Sequence, residues 1–493
     1  MRGESGHFAF TPWHSGLISA AAVVFVLAGF LTIGFAPPAQ ALPSFARQTG
    51  QPCGACHTDF FGLTPYGRRF KIGGYTYGGG KYRTNPFSDD TDKNGEKKKW
   101  VPPISMMSVI GFTHTQTPTL PSPSAPYSAN DNVVVSPLSF FWGGAITDHI
   151  GAFAQVTYGG QPAGGFGLSV GPAADPFAVH TWTWDNTDVR YADSTSIGNF
   201  AVTYGITANN GPTVQDPWNT TPVWVFPYAG STLGNGFGPT PIIDLGFSAH
   251  VGGVGGYAYV NDVLYLEASV YRTLDPNTQN SLGTDPFGAT GLFDAAPYWR
   301  VAFEPHWGNN WFEVGTFGMA ANVHPWTSAP GAPVVTTATS PLSVNFTDVG
   351  FDSQYQYQGD NFWFTLRGSY IRENQNDQNL LIAGNPTDIL NEARAYASLA
   401  YGNDNRVVLT GQYFSSWGTP DAVLYAGNAN FSPDTNGWIA EIAYIPFSSS
   451  LAPGWPWFNA RIGLQYTWYN EFNGTSVGAS ANNTLFLYAW VAM

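Results

Sequence analysis

The chain has 493 residues, 57 Gly, 37 Pro and a formal net charge of -14; 43% of its residues are hydrophobic, 16% aromatic and only 11% charged. Soluble domains run near ~25% charged, so an array of ordinary soluble domains is a poor fit. Mean hydropathy is -0.11, which argues against a bundle of transmembrane helices, and the acidic balance argues against a nucleic-acid partner.

Residues 1–41 read as an export leader. Arg2 gives a thinly basic start, residues 18–35 are nearly all apolar, and Ala39-Gln40-Ala41 supplies a small-x-small cleavage pattern. A membrane anchor is the competing interpretation, since the apolar stretch has about the right length. Pro37-Pro38 and the cleavage pattern favour removal, with Leu42 as the first mature residue.

Charge is then uneven. All six Lys lie between Lys71 and Lys99; residues 42–100 hold ten basic and five acidic side chains, and residues 101–493 hold eight Arg against 27 Asp or Glu. A small basic head (42–86) and a charged linker (87–103) therefore precede a long acidic body (104–493). Such a head could sit against an acidic lumen.

Both cysteines of the chain fall in Cys53-Gly54-Ala55-Cys56-His57. This C-x-x-C-H is the attachment pattern for c-type haem. Two thiols three residues apart reach the two vinyl groups of one haem, and the adjacent His becomes the proximal iron ligand. A zinc site would need further ligands at suitable spacing, and a redox C-x-x-C comes with a βαβ pattern; neither is present. Thr64-Pro65 reads as an N-cap with Pro at the first helical position, opening a short helix over 66–72 that stops at Gly73-Gly74. Phe45, Phe60, Phe61, Leu63, Tyr66 and Phe70 are candidates to cover the porphyrin edge. For the sixth iron ligand, Met107 comes first: alternation groups it with Ser105, Thr113 and Thr115 on a small polar face expected to look into the lumen. His114, on the opposite, more apolar face, is the alternative.

From residue 104 the chain repeats about ten alternating residues followed by a Gly-, Pro-, Asn- or Asp-rich connection. Candidate strands are 104–116, 133–146, 152–158, 187–191, 199–208, 245–250 (continuing toward 260), 263–273 and 298–307. They continue with 311–320, 346–357, 361–372, 392–401, 406–416, 438–444, 457–469 and 484–491. Sixteen strands is an even number, as bacterial barrels have. The expected fold is all-β: a transmembrane antiparallel β-barrel of about 16 strands, with the small α-helical haem head plugged in its lumen. Mid-strand Glu267, Arg300, Arg394 and Arg461 should face that lumen, because a lipid-facing charge costs ~2–4 kcal/mol at the bilayer midplane. Strand-end Trp307, Trp311, Trp417, Trp438, Trp457 and Trp468 suit interfacial girdles. A secreted β-sandwich array would show the same alternation, but the absence of Lys after Lys99 speaks against it.

Residues 42–50 (LPSFARQTG) leading into the Cys53-Cys56-His57 motif resemble the fused monohaem cytochrome–porins of iron-oxidising bacteria. The similarity continues through 63–68 (LTPYGR), 111–115 (GFTHT), 212–219 (PTVQDPWN) and 257–262 (YAYVND). What the resemblance implies is a c-type cytochrome of the bacterial outer membrane, an Fe(II):cytochrome c oxidoreductase that takes electrons from extracellular Fe(II). Its site would be Cys53 and Cys56 as haem attachments and His57 as proximal ligand; no distal ligand carries over. Met493 departs from the aromatic usual at the end of such barrels. One haem is smaller than the ~25 Å apolar band, so a soluble periplasmic electron carrier, a cytochrome or cupredoxin, is expected at the inner side. An acidic lumen would attract Fe²⁺. Two rival functions are an outward electron conduit to an extracellular acceptor and a porin gated by its haem plug. No set of acidic residues has convincing ligand spacing for iron; Asp216, Asp285, Asp421 and Asp434 read as solvated loop residues.

Overall fold

The structure is a computed structural model that describes residues 42–117, 130–158, 182–247, 249–283, 291–292, 294–324, 343–402 and 405–493. The expected leader at 1–41 and Asp285 lie outside the described residues. Sixteen strands run β1 (Ile104–Thr115), β2 (Asn132–Ala145), β3 (Ile150–Tyr158), β4 (Trp182–Ile197), β5 (Phe200–Asn209), β6 (Val251–Val260), β7 (Leu264–Thr273) and β8 (Ala296–Phe303). The second half is β9 (Asn310–His324), β10 (Val344–Gln358), β11 (Phe362–Asn376), β12 (Thr387–Tyr401), β13 (Val407–Gly418), β14 (Thr435–Tyr444), β15 (Asn459–Glu471) and β16 (Thr484–Ala492). Two-residue bridges at Gly291–Leu292 and His306–Trp307 extend the ladder beside β9.

Each strand pairs antiparallel with its neighbours, and β1 pairs with both β2 and β16, so the sheet closes. At the seam Met107 stands opposite Ala492. Met106 N–H donates to Met493 O at 2.6 Å and Met493 N–H returns to Met106 O at 2.7 Å. The unusual last residue thus completes the seam through its backbone.

Alternation sorts the faces as the sequence predicts. Along β8, buried Arg300 and Ala302 alternate with exposed Val301 and Phe303; along β11, buried Thr365 precedes exposed Leu366. Glu267, Arg300 and Arg461 are buried, and Arg394 nearly so. Inside a bilayer every backbone polar group must be satisfied, which only helices and closed barrels achieve. A closed barrel with aliphatic residues outside and charges inside spans a bacterial outer membrane. Connections 198–199, 261–263 and 359–361 are short, whereas 210–250 and 419–434, at the other end, are long. Short turns mark the periplasmic end of such barrels.

Three expectations are corrected. Residues 245–250 are not a strand: Leu245 and Ala249 have φ of 69° and 64°, a left-handed geometry that no strand accommodates, and β6 begins at Val251. Residues 187–191 are the middle of a longer strand, β4. Trp311 is only partly a girdle residue, being packed on Trp363 with ring centroids 5.6 Å apart; Trp307, Trp417, Trp438 and Trp457 are exposed as predicted.

The segment 210–250 folds back into the barrel as a strap. Asp216 meets Arg300 of β8 at 3.1 Å. Ile242 and Ile243 N–H groups donate to Glu373 of β11 and Asp348 of β10, and the carbonyls of Phe226 and Ala229 accept from Gln412 of β13 and Gln465 of β15. Partners on so many strands place the strap across the lumen. Asp216 and Asp421 are therefore buried caps and not solvated residues: Asp216 accepts the N–H of Trp218 and Thr220, and Asp421 those of Gly384 and Asn385. Asp434 likewise takes the N–H of Gly418.

Leu366, 42% exposed on the outward face of β11, should meet lipid. Leu366→Arg is expected to destabilise the folded barrel by ~2–4 kcal/mol, read as a lowered midpoint for loss of the compact, heat-modifiable band on gels.

Candidate functional site

The head consists of α1 (Pro43–Thr49), the single turn α2 (Cys53–Cys56) and α3 (Pro65–Ile72). Pro43 starts α1 and Gly50 ends it at φ 71°, a conformation glycine adopts without steric cost. Helical spacing of three puts Cys53 and Cys56 on one face of α2, and His57 N–H closes the turn on Cys53 O at 2.9 Å. Thr64 caps α3 as expected, accepting from Gly67 N–H at 3.2 Å and donating to Ala55 O at 2.6 Å. A Cβ at Gly67 would lie 2.3 Å from Cys56 O, so only glycine lets α3 pack so closely on α2.

The barrel holds this head from several sides. Arg68, buried, pairs with Glu304 and donates to Gln356 of β10 at 2.7 Å and to Leu63 O at 2.6 Å. Asp59 accepts from the Tyr396 hydroxyl and, at 3.0 Å, from Ser398, both on β12. Asn405 donates to His57 O at 2.8 Å, and Arg461 of β15 to Asp59 O at 3.2 Å. Such bonds form in a desolvated interior, where an unmade partner costs about 1–3 kcal/mol, so the position of the 57–62 loop is over-determined. Phe60 in that loop has φ 88°, a strained geometry for an aromatic residue.

A cavity of about 310 Å³ lies between head and barrel, within the size range of small-molecule and cofactor sites. Cys53, Cys56 and His57 form one part of its wall. Head residues Phe45, Phe60, Phe61, Leu63 and Phe70 line it, whereas Tyr66 does not. The strap contributes Trp224 and Tyr228, and the barrel seam contributes Met106, Met107 and Trp490. Phe60 stacks near His57, with centroids 5.8 Å apart, and edges onto Trp490 at 4.3 Å. Burial pushes the His57 imidazole down to about 4, leaving it neutral at pH 7, the form that ligates metals. Its Nδ1 is buried without a hydrogen-bond partner.

Met107 reaches the cavity as predicted, its Sδ accepting from Trp490 Nε1–H at 3.2 Å. Met106, the preceding residue of β1, lines it too. His114 is not brought to the site. Seven residues along an extended strand separate it from Met107 by about 23 Å, and its exposed ring bonds Asp131 at 2.8 Å instead. Sequence reasoning also missed Trp490, Trp224 and Lys71, which belong to distant segments or were read only as charge. Met106, Trp490 and Ala492 stand at the short-turn ends of β1 and β16, and Cys53 Sγ meets Asn459 at that end of β15. The cavity therefore occupies the periplasmic half of the lumen.

Among the described residues, no group of three or more His, Cys, Asp or Glu is placed to hold a free metal ion. The residues able to hold a covalently attached, metal-bearing macrocycle are Cys53, Cys56 and His57, with Met106 and Met107 also on the cavity wall.

No family model matches the chain, and no curated protein matches it. Among solved structures it is similar to OprB of Pseudomonas putida (13% identity, 79% of this chain and 93% of that chain, TM-score 0.46). It is also similar to OmpT of Vibrio cholerae (11%, 79% and 96%, TM-score 0.38) and to an anion-selective porin from Comamonas acidovorans (10%, 79% and 98%, TM-score 0.39).

Arg68→Met would leave Glu304 buried without a cation, a change that costs about 3–5 kcal/mol. The expected outcome is faster proteolytic release of the head in detergent while the barrel keeps its compact gel mobility.

Proposed function

We propose that this outer-membrane barrel is an electron conduit, a c-type cytochrome that oxidises extracellular Fe(II) and passes each electron through one haem to a soluble periplasmic carrier. The observation that supports this most is the cavity: the two thiols and the neutral imidazole of one C-x-x-C-H motif lie on a single wall of an otherwise aromatic and aliphatic space. The neutral imidazole of His57 and the thioether of Met107 on the same cavity suit the chemistry of a haem site.

Bound there, haem would supply a one-electron couple. Cys53 and Cys56 would fix it as thioethers, His57 would be the proximal ligand, and Met107 is the first choice for the distal one. Phe60, Phe61, Trp224 and Trp490 would exclude water, which favours the less charged oxidation state of a buried group. Each Fe²⁺ that gives up one electron becomes Fe³⁺, and the insoluble ferric product stays outside the cell. The acidic excess of residues 101–493 favours Fe²⁺ as the arriving ion. The cavity's place in the periplasmic half suits delivery to a periplasmic carrier. Diffusion through the barrel fits less well, because head and strap both occupy the lumen.

Purified protein, oxidised in detergent and mixed with ferrous sulfate across acidic to neutral pH, should develop reduced c-type absorption bands. Reduction by dithionite but not by Fe(II) would overturn iron as the donor. Cys53→Ala with Cys56→Ala should abolish haem staining on denaturing gels. Met107→Leu should lower the haem potential and change the ferric spectrum, since a thioether ligand raises potential; an unchanged spectrum would shift the distal ligand away from Met107.

A further inference from the structure

Among the described residues, the lumen pairs its buried cations with carboxylates, with one exception on the cavity wall. Arg190 meets Asp188 at 2.7 Å, Arg300 meets Asp352 at 2.8 Å, Arg394 meets Glu392 at 2.9 Å, and Arg68 and Arg461 pair with Glu304 and Glu441. Lys71, on α3, is 5% exposed and lines the cavity. Its Nζ donates to Val214 O at 2.8 Å and to Asn219 Oδ1 at 3.1 Å, and stands 4.7 Å from the ring centroid of Trp224. None of these partners carries negative charge. Arg47 also lacks a carboxylate, but it lies off the cavity, against Trp457 and Ile104 O.

An ammonium has three donors, and two are used. A buried charge without a counter-ion is costly, and burial pushes Lys71 down to about 7. The charged groups around it are already engaged. Asp188 and Arg190 pair on β4, Asp216 of the strap faces Arg300, and Glu267 of β7 is held by Gln215 and Ser269. The open side of Lys71 is the cavity, and what would complete the site is an anion inside it.

We propose that Lys71 anchors a carboxylate of the group seated in this cavity, a haem propionate. This rests on the haem reading above. A haem joined through its vinyl carbons to Cys53 and Cys56 keeps its two propionates as its anionic side chains, and a propionate entering this cavity loses its water. Lys71 then holds it as a charge-assisted hydrogen bond, and Asn219 and Val214 keep the ammonium in place. The positive charge also favours the reduced haem, so the residue raises the potential as well as orienting the ring.

The test is spectroelectrochemical titration of the full-length holoprotein in detergent at several pH values, with haem staining on denaturing gels as the control. Lys71→Met should retain stained haem and its low-spin spectrum, lower the midpoint potential at pH 8, and move the pH-dependent step of the potential upward by about one pH unit. Lys71→Arg should restore the wild-type profile. Lys71→Gln retains a donor for Val214 and Asn219 without the charge, and should behave like Lys71→Met. A wild-type profile in Lys71→Gln would mean that the side chain only fastens the strap, and would overturn the inference. So would loss of the low-spin spectrum in Lys71→Met, which would make Lys71 an iron ligand. Absence of haem stain from the wild-type protein would overturn the haem reading itself.

Discussion

Closure of the barrel is the constraint on which the rest depends. A sheet inside a bilayer cannot leave an edge unpaired, so β1 must find β16. That pairing brings residues from the two ends of the strand series into one wall. Met106 and Met107 come from the first strand and Trp490 from the last, and the cavity opens beside them. Its aromatic lid, Phe60 against Trp490 at 4.3 Å, exists only because the seam closes. Closing the sheet and building the cavity wall are therefore one event.

The second consequence is a sealed interior. Once closed, the barrel encloses inward-facing charges that lipid would never accept, and these need partners. Arg300 shows the pattern: it is fully buried and reaches Asp216 on the strap and Asp352 on β10. Glu304 takes Arg68 from the head and the Trp218 indole N–H from the strap. The same lumenal charges thus clamp both inserted segments. A buried ion pair gives little net stability against a hydrophobic alternative, but breaking one is costly. The arrangement therefore favours a single register of head and strap over many loosely packed ones.

Much of this was legible in the sequence, and the reasons are local. Period-two alternation marks β8 or β11 because each residue faces either lipid or lumen, and the cost of charge in lipid assigns the sides. The C-x-x-C-H motif and the Thr64 cap involve residues within a few positions of one another. The strap was not legible. Its Gly, Pro and polar residues read as a surface loop, and what turns them inward is pairing with Arg300, Glu373 and Asp348, far along the chain. Lys71 looked like one charge among the ten basic residues of 42–100; its burial on the cavity wall without a carboxylate separates it from them.

The position of the cavity also limits how the molecule can respond to a change of charge within it. The strap and the cluster around Ile242, Ile243 and Phe247 fill lumen space with packed side chains instead of water. In such surroundings a charge interacts more strongly than in bulk solvent. A change of charge at the proposed haem would be balanced by groups already in place. Most of the lumenal arginines are neutralised by their partners, and so contribute little net field. The charge able to do this from the cavity wall is the one left without a carboxylate, on Lys71. For the proposed haem, a fixed cation on the cavity wall would be preorganised for a single change of charge and would need no movement of the barrel. A packed interior is thus compatible with the proposed electron transfer, because the compensating charge would be part of the wall.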